Sequence, residues 1–185
     1  MRSRYRVKGR VRVCVIASDG QIKRHEPGFI RRLFGLPGRP MISKRHNTIT
    51  RQGEALIADL LRPTPAYSKV QTGSGYMQIG TGWTGNSPKT NTRCNTPLSV
   101  NAFRALEAGF PQLGAAFGQT GDNVLIYRAF YPAGSIAASG INEACLTNGN
   151  TGAAVSLAYA QVTPAVTVGS LDSLQLDWEI TISGV

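Results

Sequence analysis

Apolar and polar residues alternate with a period of two through much of this chain, and the clearest alternations stand at its two ends. At the start, MRSRYRVKGRVRV puts Arg2, Arg4, Arg6, Lys8, Arg10 and Arg12 on even positions, with Tyr5, Val7, Val11, Val13 and Val15 on odd ones. Successive side chains of a β-strand point to opposite faces, so residues 5–18 are predicted to form a strand with one apolar and one cationic face. A helix would scatter those arginines around its circumference. At the other end, SLQLDWEITI sets Leu174, Leu176, Trp178, Ile180 and Ile182 inward and Gln175, Asp177, Glu179 and Thr181 outward.

The stretches between carry their own punctuation. Asp19-Gly20 is a turn dipeptide, and QIKRHE after it is predicted to be the return strand of a hairpin. The connection over 28–46 is unusually apolar for a loop, mixing Phe29, Ile30, Leu33, Phe34 and Leu36 with Arg31 and Arg32. It reads either as an amphipathic turn packed on its own chain or as a segment docking on a neighbour. NTITRQGEALIADLLRPTP predicts one helix over about residues 51–62, with Thr50 as N-cap, a buried stripe of Ala55, Leu56, Ile57, Leu60 and Leu61, and a stop at Pro63 and Pro65.

YMQIG ends a further strand in glycine. Thr81 to Ser99 reads as a long loop, and SVNAFRALEAGF as a helical turn or bent strand. From Asp122 the pattern is β throughout. NVLIYRAFY is one strand, GINEACL and AAVSLAYAQV flank an Asn148-Gly149-Asn150 turn, and TPAVTVG is a short strand before the last. The expected fold is mainly β: an antiparallel β-sandwich or jelly roll with one α-helix and a basic N-terminal hairpin or arm.

Charge changes this picture. Residues 1–46 hold thirteen Lys or Arg against Asp19 and Glu26, a net +11, whereas residues 47–185 carry a net −1. The chain divides into a basic N-terminal hairpin and insertion (1–46) and a near-neutral β-sandwich domain (47–185), expected to fold as one unit with the N-terminal strand. Neighbouring charges on one strand face stand roughly 6.6–6.8 Å apart, inside the ~8–10 Å screening length of ordinary salt, so the row repels itself. It calls for an acidic neighbour, either a protein surface or nucleic acid.

Candidate chemistry is sparse. Cys14, Cys94 and Cys145 form no CxxC and read as small buried residues in a reducing compartment. His25 and His46 both lie in the basic region, which opposes a metal site. Gly80-Thr-Gly82-Trp-Thr-Gly85 matches GxGxxG, but NSPKTNTRCNTP after it cannot open the helix that a dinucleotide needs, so it reads as a glycine-permitted turn. Asp177 and Glu179 share a strand face at a spacing that paired-carboxylate hydrolases use, yet they suit a solvated face or arginine partners on a neighbouring strand or subunit better. No catalytic, cofactor or metal residues are assigned. No apolar run approaches the ~18 residues of a membrane span, and arginine interrupts any signal-peptide core, so a chain made in the cytoplasm and not secreted is expected.

Four stretches in order, NTITRQGEALIADLL, YMQIGTG, GINEACLTN and LQLDWEITI, resemble a family of tailed-bacteriophage virion structural proteins. In that pattern a basic or mixed N-terminal hairpin precedes an N-x-I-T-x-x-G helix, an I-G-x-G strand, an I-x-E strand and a closing L-x-W-x-I-x-I strand. The likeness runs over roughly residues 5–185. The chain departs from it at Cys145, often glycine there, and in segment 28–46, usually shorter. The resemblance implies a non-catalytic subunit present in many copies on the virion, in the neck, collar or tail or as a capsid decoration (cement) protein. Its partners would be other virion proteins and copies of itself.

On that reading Phe29, Ile30, Leu33, Phe34 and Leu36 are interface anchors, Arg31 and Arg32 pair acids across the interface, and the row from Arg2 to Arg12 meets an acidic protein surface. A non-specific nucleic-acid-binding module is the alternative, weakened because no aromatic residue stands on the cationic face to stack on bases.

Overall fold

The computed structural model describes residues 5–85, 89–98, 102–114 and 122–184; Arg2 and Arg4 of the cationic row lie outside the described residues. In chain order the elements are β1 (Tyr5–Ile16), α1 (Phe29–Leu33), β2 (Ile42–Ile49), α2 (Arg51–Asp59), β3 (Tyr76–Gly80), β4 (Phe103–Ala105), β5 (Gln112–Leu113), β6 (Val124–Tyr131), β7 (Ala138–Thr147), β8 (Ser156–Val168) and β9 (Ser173–Gly184).

The strands join in one antiparallel sheet, curled into half a barrel, in the order β4-β3-β7-β8-β2-β1-β9-β6-β5. The mainly β, antiparallel expectation therefore holds, but among the described residues one curled sheet stands where a sandwich or jelly roll was expected, and two helices where one was. β2 is the corner. Its residues 42–46 pair with β1, and residues 47–49 pair with β8. Across the curl the Tyr131 hydroxyl on β6 donates to Met77 O at 3.1 Å and to Ala102 O at 2.9 Å, tying the halves together.

Both terminal alternations do what their period requires. β1 and β9 run antiparallel over twelve residue pairs, Tyr5 opposite Gly184 through Ile16 opposite Ser173. Val11, Val13 and Val15 lie on the concave side with Leu174, Leu176 and Trp178, all buried. Burying two facing apolar rows is the main return on this pairing, at about 1.5–3 kcal/mol for each large side chain. It sets β1 well inside the sheet, and the 46/47 division falls within β2.

Four local expectations are corrected. MISKRHNTI, read as part of a connection and the lead-in to the helix, contains β2; its alternation is blurred because both ends of the strand serve different partners. QIKRHE is no full strand and contributes isolated bridges, Ile16 to Ile22 and Arg24 to Pro40. β8 is one strand of thirteen residues where two were expected. Pro164 is accommodated inside it where the β7 pairing breaks register, with the Ser43 hydroxyl bonding both Thr163 O and Thr163 N. The helix is shorter than 51–62 and its buried line is Gly53, Leu56 and Asp59, while Ala55 and Leu61 are exposed.

The reason for that rotation is a glycine. A Cβ at Gly53 would stand 2.1 Å from Leu157 O, so the helix lies against β8 on its glycine side. Thr50 caps it as expected, accepting from Gly53 N at 2.9 Å while its hydroxyl donates to Ser156 O. Ile57, Leu60 and Leu61 thereby line an open groove beside Leu157 of β8.

Candidate functional site

Side chains with chemistry to offer gather in three places: the convex face of the sheet, a buried carboxylate under residues 82–83 and 94–96, and the insertion. On the convex face β1 presents Arg6, Lys8, Arg10 and Arg12, all exposed. The register sets Lys44 and His46 of β2 beside Arg12 and Arg10. On the other flank Asp177 and Glu179 of β9 stand opposite the same two arginines, and Arg128 of β6 lies beyond Asp177.

Asp177 is the hub of this face. Arg12 reaches it with both Nε, at 3.0 Å, and a terminal guanidinium nitrogen; Arg128 Nε donates at 2.6 Å, and Gln175 adds its amide. Burial works against the Arg12 guanidinium, but the hydrogen bond and charge of Asp177 outweigh it and hold its pKa above the ordinary value. For Arg12, then, the acidic neighbour is in its own chain. Arg6, Lys8, Arg10, Lys44 and His46 make no ion pair among the described residues. The face remains a cationic patch with one neutralised corner.

The second place escaped sequence reasoning. Glu143 of β7 is wholly buried, yet every lone pair it turns inward is used. Oε1 accepts from Gly82 N at 2.9 Å and Thr96 N at 2.8 Å; Oε2 accepts from Asn95 N at 2.9 Å and from the Tyr159 hydroxyl at 2.5 Å. Both strands of the loop after β3 are thus pinned by one carboxylate. Trp83 lies on Tyr159 at 5.7 Å between ring centres, and Asn142 Oδ1 takes Trp83 N at 2.9 Å.

Two glycines of the GxGxxG match serve this closure: a Cβ at Gly80 would stand 2.4 Å from Thr96 O and one at Gly82 2.4 Å from Thr96 Oγ1, while Gly85 stands in open space and no helix opens at 81–85. Alternation hid the site, because the β7 pairing breaks register between Ile141 and Glu143: Ile141, Ala144 and Leu146 join the main core, while Cys145 lies with Tyr159 on the Glu143 side. Cys94 and Cys145 line the same cluster, and with Cys14 all three cysteines are buried and free. Burial pushes the Cys94 thiol well up, and burial with the Glu143 contact raises Tyr159.

The third place is the insertion. Residues 23–25 and 39–41 form a hydrogen-bonded neck, with His25 N donating to Arg39 O at 2.9 Å and Met41 N to Lys23 O at 2.7 Å. Lys23 pairs with Asp172, which anchors the neck to the loop before β9. Above the neck the head is held by Arg31 Nε on Pro37 O at 2.8 Å, Leu36 N on Arg31 O at 2.8 Å and the Arg32–Glu26 ion pair at 3.0 Å. Its apolar side chains stay outside: Phe29 is 82% exposed, Ile30, Leu33 and Phe34 each 69%, and Leu36 48%. These five side chains are therefore not packed on the described part of their own chain.

Among the described residues no three His, Cys, Asp or Glu side chains converge as a metal site would need, and no helix is long and apolar enough to cross a membrane. Comparison of the chain with protein-family models, with curated proteins and with solved structures found no match.

Proposed function

We propose that this protein is a non-enzymatic structural subunit that assembles in many copies. Following the resemblance of its ordered motifs, we place that assembly in a bacteriophage virion, as a component of the neck, collar or tail; the alternative place is the capsid surface, as a decoration protein. The observation that carries the reading is the knob of residues 29–36. Five large apolar side chains, on a segment tied by the chain's own hydrogen bonds, stand in solvent above a hydrogen-bonded neck. Monomers rarely expose an apolar patch beyond a few hundred Å², and such a patch marks a contact surface. The buried acids support a structural role as well: Glu143, Asp59 and Asp172 each accept backbone N–H groups and hold loops in place.

Antibody labelling of particles of the phage that encodes the chain tests this. Label at the neck or along the tail agrees with the reading, and label over the whole head moves the subunit to the capsid surface. A particle without the protein, from cells that make it, defeats the proposal.

A second reading has its own observation: Arg6, Lys8, Arg10, Lys44 and His46 share one face and make no ion pair among the described residues. Nucleic acid would suit them. Binding would then fall steeply with salt and show little sequence preference, and neutralising Lys8 and Arg10 would abolish it. In the structural reading the same variant binds duplex DNA no worse than the weakly binding parent at physiological salt, and it enters particles poorly.

A further inference from the structure

The knob has a counterpart on the same chain. Because Gly53 turns α2 against β8, the helix leaves Ile57, Leu60 and Leu61 facing β6 and β9 across an open groove of ≈ 580 Å³, with Phe110, Leu125 and Ile182 on the far wall. Its walls are mostly apolar, Lys69, Gln71 and Thr72 add a polar stretch of rim, and among the described residues Leu61 is 85% and Ile182 40% exposed. No residue of the knob lines it.

Knob and groove occupy opposite ends of the sheet. Ile182 stands opposite Val7 near the start of β1, whereas Ile22, at the base of the neck, bridges Ile16 at its end. Nine residues of strand separate Val7 from Ile16, or about 30 Å. A knob at one end and an apolar groove at the other form a head-to-tail pair, which generates rings when the rotation closes and filaments when it does not.

The areas fit such a contact. At about 150–250 Å² for a large side chain, the five exposed knob residues offer on the order of 600 Å². A stable interface buries about 800 Å² on each partner. Ile22 and Leu171, 41% and 71% exposed at the same end, lie where they would make up much of the difference. The head also needs little ordering on binding, since its backbone and Arg31 and Arg32 are already held, and preorganisation lowers the entropic cost of association.

We infer that the groove between α2 and β6–β9 receives the 29–36 knob of a second copy of this chain, making a heterologous, propagating contact. This deepens the assembly reading above and rests on it.

The test uses two variants of the full chain, examined by light scattering after size exclusion and by sedimentation. One blunts the knob (Leu33→Asp with Phe34→Asp) and the other blocks the groove (Leu61→Asp with Ile182→Asp). All four positions are exposed, so both variants should keep the parent's melting behaviour. The parent is expected to associate beyond a dimer, and each variant alone to be monomeric. An equimolar mixture should form a 1:1 dimer and stop there, because its one intact knob fills its one intact groove.

A knob variant that still associates, or a mixture that stays monomeric, overturns the inference. A parent that is monomeric at every concentration yet present on particles also overturns it, while leaving the assembly reading intact with a different protein as the knob's partner. A parent that assembles through knob and groove but is missing from particles would uphold this contact and defeat the virion reading.

Discussion

Two carboxylates show how differently one residue type can serve the same sheet. Glu143 is buried and accepts three backbone N–H groups and a phenol, so Glu143→Gln replaces an acceptor with an amide whose hydrogens face other donors. Leaving such groups unsatisfied costs about 2–4 kcal/mol. Urea denaturation should register that loss. Hydrogen exchange at Gly82, Asn95 and Thr96 should speed up before the rest of the sheet, and Trp83 fluorescence should change as its contact with Tyr159 loosens. Asp177 lies near the surface, at 12% side-chain exposure between Arg12 and Arg128. Asp177→Asn should cost only about 1–2 kcal/mol, less at high salt. By contrast Lys8→Gln with Arg10→Gln removes unpaired like charges and should leave stability within about 0.5 kcal/mol. Equal losses from Asp177→Asn and from the Lys8→Gln, Arg10→Gln variant would contradict the assignment of Arg12, rather than Lys8 or Arg10, to the internal partner Asp177. The alternation of LDWEI placed Asp177 on an outward face, but its partners came from strands 165 and 49 residues away.

At the scale of elements, α2 shows how a helix is seated. Thr50→Ala removes both the cap to Gly53 N and the bond to Ser156 O, at about 1–2 kcal/mol, and Thr50→Ser should restore most of it. Gly53→Ala should cost more, because its methyl meets Leu157 backbone and the helix must lift; a melting temperature above that of Thr50→Ala would count against this seating. Two anchors at element ends give stability a pH dependence. The Tyr67 N–H above all, with Arg62 and the Ala66 N–H, holds the Asp59 carboxyl below its usual range against the effect of burial. For Asp172 burial alone would push the carboxyl up, but Lys23 and the Gly169 N–H more than reverse it. A depressed folded pKa contributes stability that is fully present above the unfolded value of about 3.9 and is lost as pH falls through the lower folded value. Melting temperature should therefore decline below about pH 4. The deficit of Asp59→Asn or Asp172→Asn relative to the parent should be largest at neutral pH and shrink in acid. A deficit that persists unchanged in acid would show that the charge at these sites is not what stabilises.

For the whole molecule, the curl of one sheet gives the chain a packed concave side, a charged convex side and two unlike ends. Replacing residues 28–36 by a short Gly-Ser link between Pro27 and Pro37 should leave the melting temperature within a few degrees, since α1 buries none of its residues, whereas a large drop would mean that the knob serves the fold. Much of this architecture was readable along the chain. Period-two alternation identified β1, β6 and β9 and their inward rows, and the Thr50 cap and Pro63 bracketed the helix, because these signals depend on neighbours a few residues apart. What tertiary structure alone decided depended on distant partners. β2 was masked because its two halves pair with different strands, and the buried stripe of α2 shifted because Leu157 accepts Gly53 and no larger residue. Glu143 became a clamp only once Gly82, Asn95 and Thr96 came to lie over it. Arg12 found Asp177 only when the two ends of the chain came to lie side by side. Sequence alternation determines which face of a strand is apolar, but long-range register determines what each face meets, because charge pairing and close packing act through space.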